Sequence, residues 1–95
     1  MRVTNKEIKE FVKQYLMQRG IKARVKVTFD PDVGHDVDII RHWEKDAYAN
    51  WRLIWEIRKA IIEKFGDRLM KKKDWLNNKS YITYELRVAP FDEEN

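Results

Sequence analysis

Basic side chains that lie close to aromatic residues in the sequence are candidates for phosphate binding. Alternation of apolar and polar residues over 21–29 places Lys22, Arg24 and Lys26 on the outward face of a predicted strand. Lysine and arginine neutralise the phosphates of nucleic acids, and such binding weakens as salt is added. We therefore predict that this face binds nucleic acid.

A second basic group follows the long predicted helix. It consists of Arg68, Lys71, Lys72 and Lys73. Tyr81, on the outward face of the last predicted strand, offers a ring on which a base could stack if that strand neighbours the first. A run of lysines is also typical of a solvated surface, and Asp38 and Glu85 could instead pair with the first basic row.

Acidic residues crowd into the segment between the two basic regions. They are Asp30, Asp32, Asp36 and Asp38, with His35 among them. Oxygen-rich loops can bind hard cations, but an EF-hand loop would need an oxygen ligand at Gly34 and a glycine at His35. A turn followed by the solvent face of a strand accounts for the cluster. We predict no metal site and no cofactor.

Patterns typical of catalysis are absent from the sequence. There is no cysteine, which excludes disulfides and thiolate chemistry, and the three glycines are too far apart to form a phosphate-binding loop. The single serine, Ser80, has no motif around it. We therefore predict a protein that is not an enzyme and has no catalytic residues.

Aromatic residues are concentrated in a long helix predicted from Trp43 to Phe65, with Gly66 as its stop. One stripe of this helix is predicted to lie in the core: Trp43, Ala47, Trp51, Ile54, Ile57, Ile61 and Phe65. An adjoining stripe of Tyr48, Trp55 and Ile62 has the heptad spacing of a protein interface. We expect this second stripe to contact helix one, a partner protein or a second subunit.

The remaining elements follow from local patterns. Thr4 and Glu7 have the spacing of a capping box, which predicts a first helix from about Asn5 to Arg19. A turn at 30–34 leads to a second strand at 35–41, and a final strand around 82–88 is expected to end at Pro90. The segment 69–76 lacks alternation, so we favour a short third helix there over a strand that turns at Asn77 and Asn78.

Together these elements predict one α+β domain over residues 1–91 and an acidic tail over 92–95. The predicted order is α-β-β-α-(α)-β, with the helices packed on one face of a small antiparallel or mixed sheet. A chain of 95 residues that is 43% hydrophobic can bury one modest core. The opposite face of the sheet is then left to solvent or a partner.

Charge and hydropathy limit the partners and the location that the chain can have. The net charge of +4 divides into +6 over residues 1–29, −4 over 30–46, +5 over 47–91 and −3 over the tail. Such segregation can steer a polyanion or balance charge between neighbouring elements. No apolar run approaches the length of about 20 residues that crosses a bilayer, and the N-terminal residues do not resemble a signal peptide. We expect a cytoplasmic protein with no membrane partner.

Two functions fit these observations best, and a third, a metal-dependent hydrolase, ranks well behind them. The first is a small, non-enzymatic nucleic-acid-associated domain that uses both basic groups on phosphates. The alternative is a protein-interaction or inhibitor module, of the kind that phages and plasmids encode, which acts through the aromatic stripe or the acidic segment. Both basic groups on one face would favour nucleic acid, and an exposed aromatic stripe would favour a protein partner.

Overall fold

Two α-helices, five strands and one 3₁₀ turn make up the part of the chain that the computed structural model describes, which is residues 1–76 and 79–93. In chain order they are α1 (Asn5–Gln18), β1 (Arg24–Asp30), β2 (Gly34–Arg41), α2 (Ala47–Phe65), the 3₁₀ turn (Gly66–Arg68), β3 (Lys71–Leu76), β4 (Lys79–Tyr84) and β5 (Leu86–Asp92). The predicted α+β class is confirmed.

The strands form two separate sheets. Three strands make a mixed sheet in the order β1-β2-β5, and within residues 1–76 and 79–93 β3 and β4 pair with each other alone. β1 runs antiparallel to β2, with Lys26 opposite Asp38, and β5 runs parallel to β2, with Val37 opposite Val88. β1 and β5 are therefore the edges of the larger sheet.

The hydrophobic core lies between the two helices and one face of the mixed sheet. α1 contributes Ile8, Val12 and Leu16, α2 contributes Ile54, Ile57, Ile61 and Phe65, and the sheet contributes Val25, Val37, Ile39, Leu86 and Val88. The helical members recur every three or four residues and the strand members every second residue, as one buried face requires. Among the described residues, no helix has both the length and the apolar character needed to cross a membrane.

The start of α1 is fixed by the predicted capping box. The Thr4 hydroxyl accepts a hydrogen bond from the backbone N–H of Glu7 at 3.1 Å, and the Glu7 carboxylate accepts one from the backbone N–H of Thr4 at 2.8 Å. These bonds satisfy two donors that have no partner within the helix. The helix ends one residue earlier than predicted, and Gly20 follows with a positive φ of 68°.

The start of α2 differs from the prediction. Asp46 caps this helix by accepting hydrogen bonds from the backbone N–H groups of Tyr48 and Ala49, so Trp43 lies outside it. The indole Nε1 of Trp43 instead donates to the carbonyl oxygens of Ile39 and Phe91, at 3.2 and 2.9 Å. An N-cap carboxylate thus sets the helix start, which apolar periodicity alone placed four residues too early.

The third helix predicted over 69–76 is wrong, because β3 occupies Lys71–Leu76. Its pairing with β4 supplies hydrogen bonds that outweigh the weak strand preference of three lysines. The single final strand is also wrong, since a break at Glu85 divides it into β4 and β5. The predicted turn at Asn77 and Asn78 lies outside the described residues.

Pro90 does not end the last strand, as the sequence suggested. It lies inside β5, which continues to Asp92, and the backbone N–H of Glu93 donates to the carbonyl oxygen of Arg41 at 2.9 Å. A proline is tolerated there because β5 is an edge strand, with β2 as its one neighbour among the described strands. Asp92 and Glu93, assigned to an acidic tail from the sequence, thus extend this edge of the sheet.

Candidate nucleic-acid interface and aromatic patch

An open groove of about 460 Å³ lies between α1 and the edge strand β1. Four lysines line it, and we call this site the lysine groove: Lys6, Lys9 and Lys13 from α1, and Lys26 from β1. Glu10 also reaches the groove, as its one carboxylate. Within the described residues, none of the four lysines forms a salt bridge.

Helical spacing explains why three of these lysines converge. Lys6, Lys9 and Lys13 are three and four residues apart and share one stripe of α1, while Ile8 and Val12 face the core. On β1, Lys26 points away from the core because its neighbour Val25 points into it. The groove is therefore a stripe of positive charge beside an unpaired strand edge.

The second sheet forms an exposed hairpin arm, by which we mean β3 and β4. Its described cations, Lys71, Lys72 and Lys73, are all exposed, as is Tyr81 on the other strand. A backbone hydrogen bond from Glu85 N–H to the Met70 carbonyl oxygen, 2.9 Å long, joins the two strands at the base of the arm. The arm thus presents lysines and an aromatic ring on a two-stranded ribbon.

Arg68, predicted to bind phosphate, is instead held by α1. Its Nη2 donates to both carboxylate oxygens of Glu7, at 3.0 and 2.8 Å, and its carbonyl oxygen accepts from Val3 N–H at 3.0 Å. Hydrogen bonds from the Thr4 backbone and from Arg68 lower the pKa of Glu7. Arg68 therefore ties the base of the hairpin arm to the start of the helix that carries the lysine groove.

The predicted row of Lys22, Arg24 and Lys26 lines two different grooves. Lys26 belongs to the lysine groove, whereas Lys22 precedes β1 and lines a different groove of about 430 Å³ with Arg24. Arg24 lies 3.6 Å from the carboxylate of Glu93, which partly balances its charge. Tyr81 lies on β4, in the other sheet, so its strand does not neighbour β1, which was the condition for a stacking surface beside this row.

An aromatic patch covers the first half of α2, and we define it as Tyr48, Trp51 and Trp55. These residues are 75%, 45% and 66% exposed, so the prediction that Trp51 lies in the core is wrong. The patch lines a shallow apolar depression of about 500 Å³. Ile62, predicted on the same stripe as Tyr48 and Trp55, is half-buried against the core.

The acidic segment has structural partners. The Asp30 carboxylate accepts from Asp32 N–H at 2.8 Å within the turn, and Asp36 and Asp38 lie 3.5 and 3.9 Å from Nη1 of Arg87. In the described part of the chain, no three histidine, cysteine or acidic side chains are grouped to hold a metal ion. These contacts explain the acidic residues as a turn and a salt-bridged sheet face.

His35 is almost completely buried, with its ring 4.8 Å from that of Phe29. Burial lowers its pKa, and the charge of Arg2 lowers it further, because both disfavour the imidazolium form. The neutral ring is therefore the form that the fold favours.

Comparison with known proteins finds no family model, no curated protein and no solved structure that matches this chain. The placement of the residues themselves must therefore indicate the function. Sequence reasoning missed Lys6, Lys9 and Lys13 as candidate ligands, although their spacing on the polar face of α1 was a usable signal. It had no means of showing that β1 packs beside that face.

Proposed function

We propose that the chain is a small, non-enzymatic domain that binds duplex DNA, holding phosphates in the lysine groove and laying the hairpin arm along the duplex. The observation that carries this proposal is the convergence of Lys6, Lys9, Lys13 and Lys26 on one groove without a salt bridge in the described chain. Lysines that are not held in salt bridges are free to exchange counterions for phosphates.

The dimensions of the lysine groove suit a phosphate backbone. Lys6 and Lys13 are seven residues apart in α1, which corresponds to about 10 Å along the helix axis at a rise of 1.5 Å per residue. Phosphates follow one another at about 3.4 Å of axis per strand in duplex DNA. The helix therefore spans enough of one strand to contact two or three phosphates.

The hairpin arm favours duplex DNA over duplex RNA. The major groove of B-DNA is about 12 Å wide and admits a two-stranded β-ribbon, whereas that of A-form RNA is too deep and narrow for side chains to reach. Lys71, Lys72, Lys73 and Tyr81 are exposed on such a ribbon. Since Arg68 ties the base of the arm to α1, both surfaces could engage neighbouring parts of one duplex.

The experiment is a binding titration against labelled single- and double-stranded DNA and RNA over a range of salt concentrations. We expect duplex DNA to bind tightest, with an affinity that falls as salt rises and a logarithmic slope of about 0.9 per phosphate contacted. Lys9→Ala with Lys13→Ala should weaken binding and reduce that slope by about 2. Lys71, Lys72 and Lys73 changed together to Ala should weaken it further.

A matched control separates local contacts from net charge. Lys45→Ala with Lys64→Ala also removes two positive charges but lies outside the lysine groove, so its slope should stay close to that of the unaltered protein. Equal changes in the salt slope for the two double variants would show that binding depends on net charge and not on the lysine groove. No binding to any nucleic acid at low salt would overturn the proposal.

The exposed aromatic patch favours a second candidate function, that of a protein-interaction module. Exposed apolar patches rimmed by polar side chains commonly mark protein contacts. Either function is compatible with the cytoplasm, which we propose as the location because a chain without cysteine suits a reducing compartment. Expression of a fluorescent fusion and its imaging would test that location.

A further inference from the structure

The aromatic patch places three large rings on one stripe of α2 and leaves them open to water. Tyr48, Trp51 and Trp55 are separated by three and four residues, which keeps them on one side of the helix. Arg52 and Glu56 flank the patch together, with Nε of the arginine 3.5 Å from a carboxylate oxygen of the glutamate. The patch is therefore apolar along its centre and carries one charge of each sign along a single flank.

We propose that the aromatic patch binds the same patch of a second copy of this chain, with the two α2 helices antiparallel about a twofold axis level with residues 53 and 54. Trp51 and Trp55 lie on either side of that level, so Trp51 of one copy meets Trp55 of the second copy. Aromatic pairs of this kind stabilise an interface beyond the apolar area that they bury.

The charges on the flank fit the same axis. A twofold axis perpendicular to both helices brings each flank against the same flank of the second copy, so Arg52 of one copy meets Glu56 of the other. Tyr48 then lies level with Lys59 of the second copy, an exposed cation without a salt bridge in the described chain, which can rest on the ring. Three independent pairs thus match at one axis position.

A parallel arrangement of the helices does not share this complementarity. Its twofold axis would run along the helices and bring each flank against the opposite flank of the second copy, so Arg52 and Glu56 of the two copies would not meet. Stable interfaces bury about 800 Å² per partner, which is more than the three exposed rings of the patch provide. We therefore expect weak association, with a dissociation constant on the order of 10 to 100 µM. The proposal does not depend on DNA binding.

Sedimentation of the chain without nucleic acid, from about 5 to about 500 µM, tests this dimer. The unaltered protein should pass from monomer to dimer in that range, and Trp55→Ala should weaken association at least tenfold. Arg52→Glu and Glu56→Arg should each weaken it as well, because each places like charges opposite one another. Circular dichroism verifies that these exposed substitutions leave the helices intact.

Combining the two charge variants gives the decisive result. A mixture of Arg52→Glu chains with Glu56→Arg chains should associate more tightly than either variant alone, and one chain carrying both changes should recover most of the original affinity. Lys64→Glu, a charge reversal elsewhere on α2, should leave dimerisation unchanged. A chain that stays monomeric to about 500 µM, or a mixture no better than its components, would overturn the proposal and leave a different protein as the occupant of the patch.

Discussion

Nη2 of Arg68 and the carboxylate of Glu7 are joined by two hydrogen bonds across 61 positions of the sequence. The same carboxylate completes the capping box with Thr4, so one glutamate both starts α1 and secures the segment that leads into the hairpin arm. Loss of either bond would therefore loosen two elements at once. The proposed DNA-binding surfaces depend on this junction for their relative position.

Replacing Glu7 with Gln should remove part of the acid dependence of stability. The Thr4 backbone hydrogen bond, and next the Arg68 hydrogen bond, lower the pKa of Glu7 in the folded chain. A carboxyl with a lowered pKa stabilises the fold above its unfolded-state value of about 4.5, and this contribution disappears as the pH falls through the folded-state pKa. Urea unfolding from pH 7 down to about 2 should show the two proteins converging below about pH 4.5. A constant gap would contradict the assignment.

Replacing His35 with Leu should reduce the pH dependence of stability in a pH interval above the one that Glu7 affects. Burial, and then Arg2, lowers the pKa of His35, so between the folded-state pKa and the usual value of 6.5 the unfolded chain binds more protons. Stability should therefore fall as the pH is lowered through that interval in the unaltered protein, and fall less in His35→Leu. His42→Gln, which removes an exposed histidine, serves as the control and should retain most of the fall. Parallel pH profiles for the unaltered protein and His35→Leu would exclude this role.

The sequence predicted the elements that carry their own local signal. The capping box at Thr4 and the alternation along β1 and β2 are short-range patterns, and the structure has both where they were expected within a few residues. Residues 69–76 carried no such signal, since the strand there depends on pairing with β4. The burial of Trp51 was wrong for a related reason, because periodicity identifies an apolar stripe but not which part of it meets a neighbour.

The candidate site was predicted only in part for the same physical reason. The exposure of Lys71, Lys72, Lys73 and Tyr81 agrees with their charge and polarity, but their location on a hairpin depends on tertiary pairing. The lysine groove joins two elements, so neither α1 nor β1 alone reveals it. Arg68 was predicted to bind phosphate because it lies beside lysines in the sequence, but it forms hydrogen bonds with a carboxylate 61 positions away.

Gly34 and Gly20 should respond differently to alanine. Both have positive φ, at 85° and 68°, but a Cβ at Gly34 would overlap the Glu85 carbonyl oxygen and lie 2.6 Å from its Cβ, while a Cβ at Gly20 would meet nothing within 4 Å. Gly20→Ala should cost about 1 to 2 kcal/mol, from backbone strain alone. Gly34→Ala adds a backbone clash, so its cost should reach roughly 3 kcal/mol or more. Similar losses of unfolding free energy would refute the close approach of β2 to Glu85.

Trp51 and Ile54 give the sharpest comparison, because they are neighbours on α2 with opposite surroundings. Ile54 is 1% exposed, so Ile54→Ala leaves a cavity and should cost about 2 to 5 kcal/mol. Trp51 is 45% exposed, so Trp51→Ala should cost about 1 kcal/mol or less, despite removing the larger side chain. Chemical denaturation at about 5 µM isolates these effects from self-association.

The same pair also separates stability from assembly. If the aromatic patch joins two copies, Trp51→Ala should weaken dimerisation at high concentration while its unfolding free energy as a monomer changes little. Ile54→Ala should show the reverse, with a large loss of stability and, in the fraction that stays folded, little change in association. A large loss of monomer stability in Trp51→Ala would mean that the ring is buried in solution, and the patch would then be unavailable to a second copy.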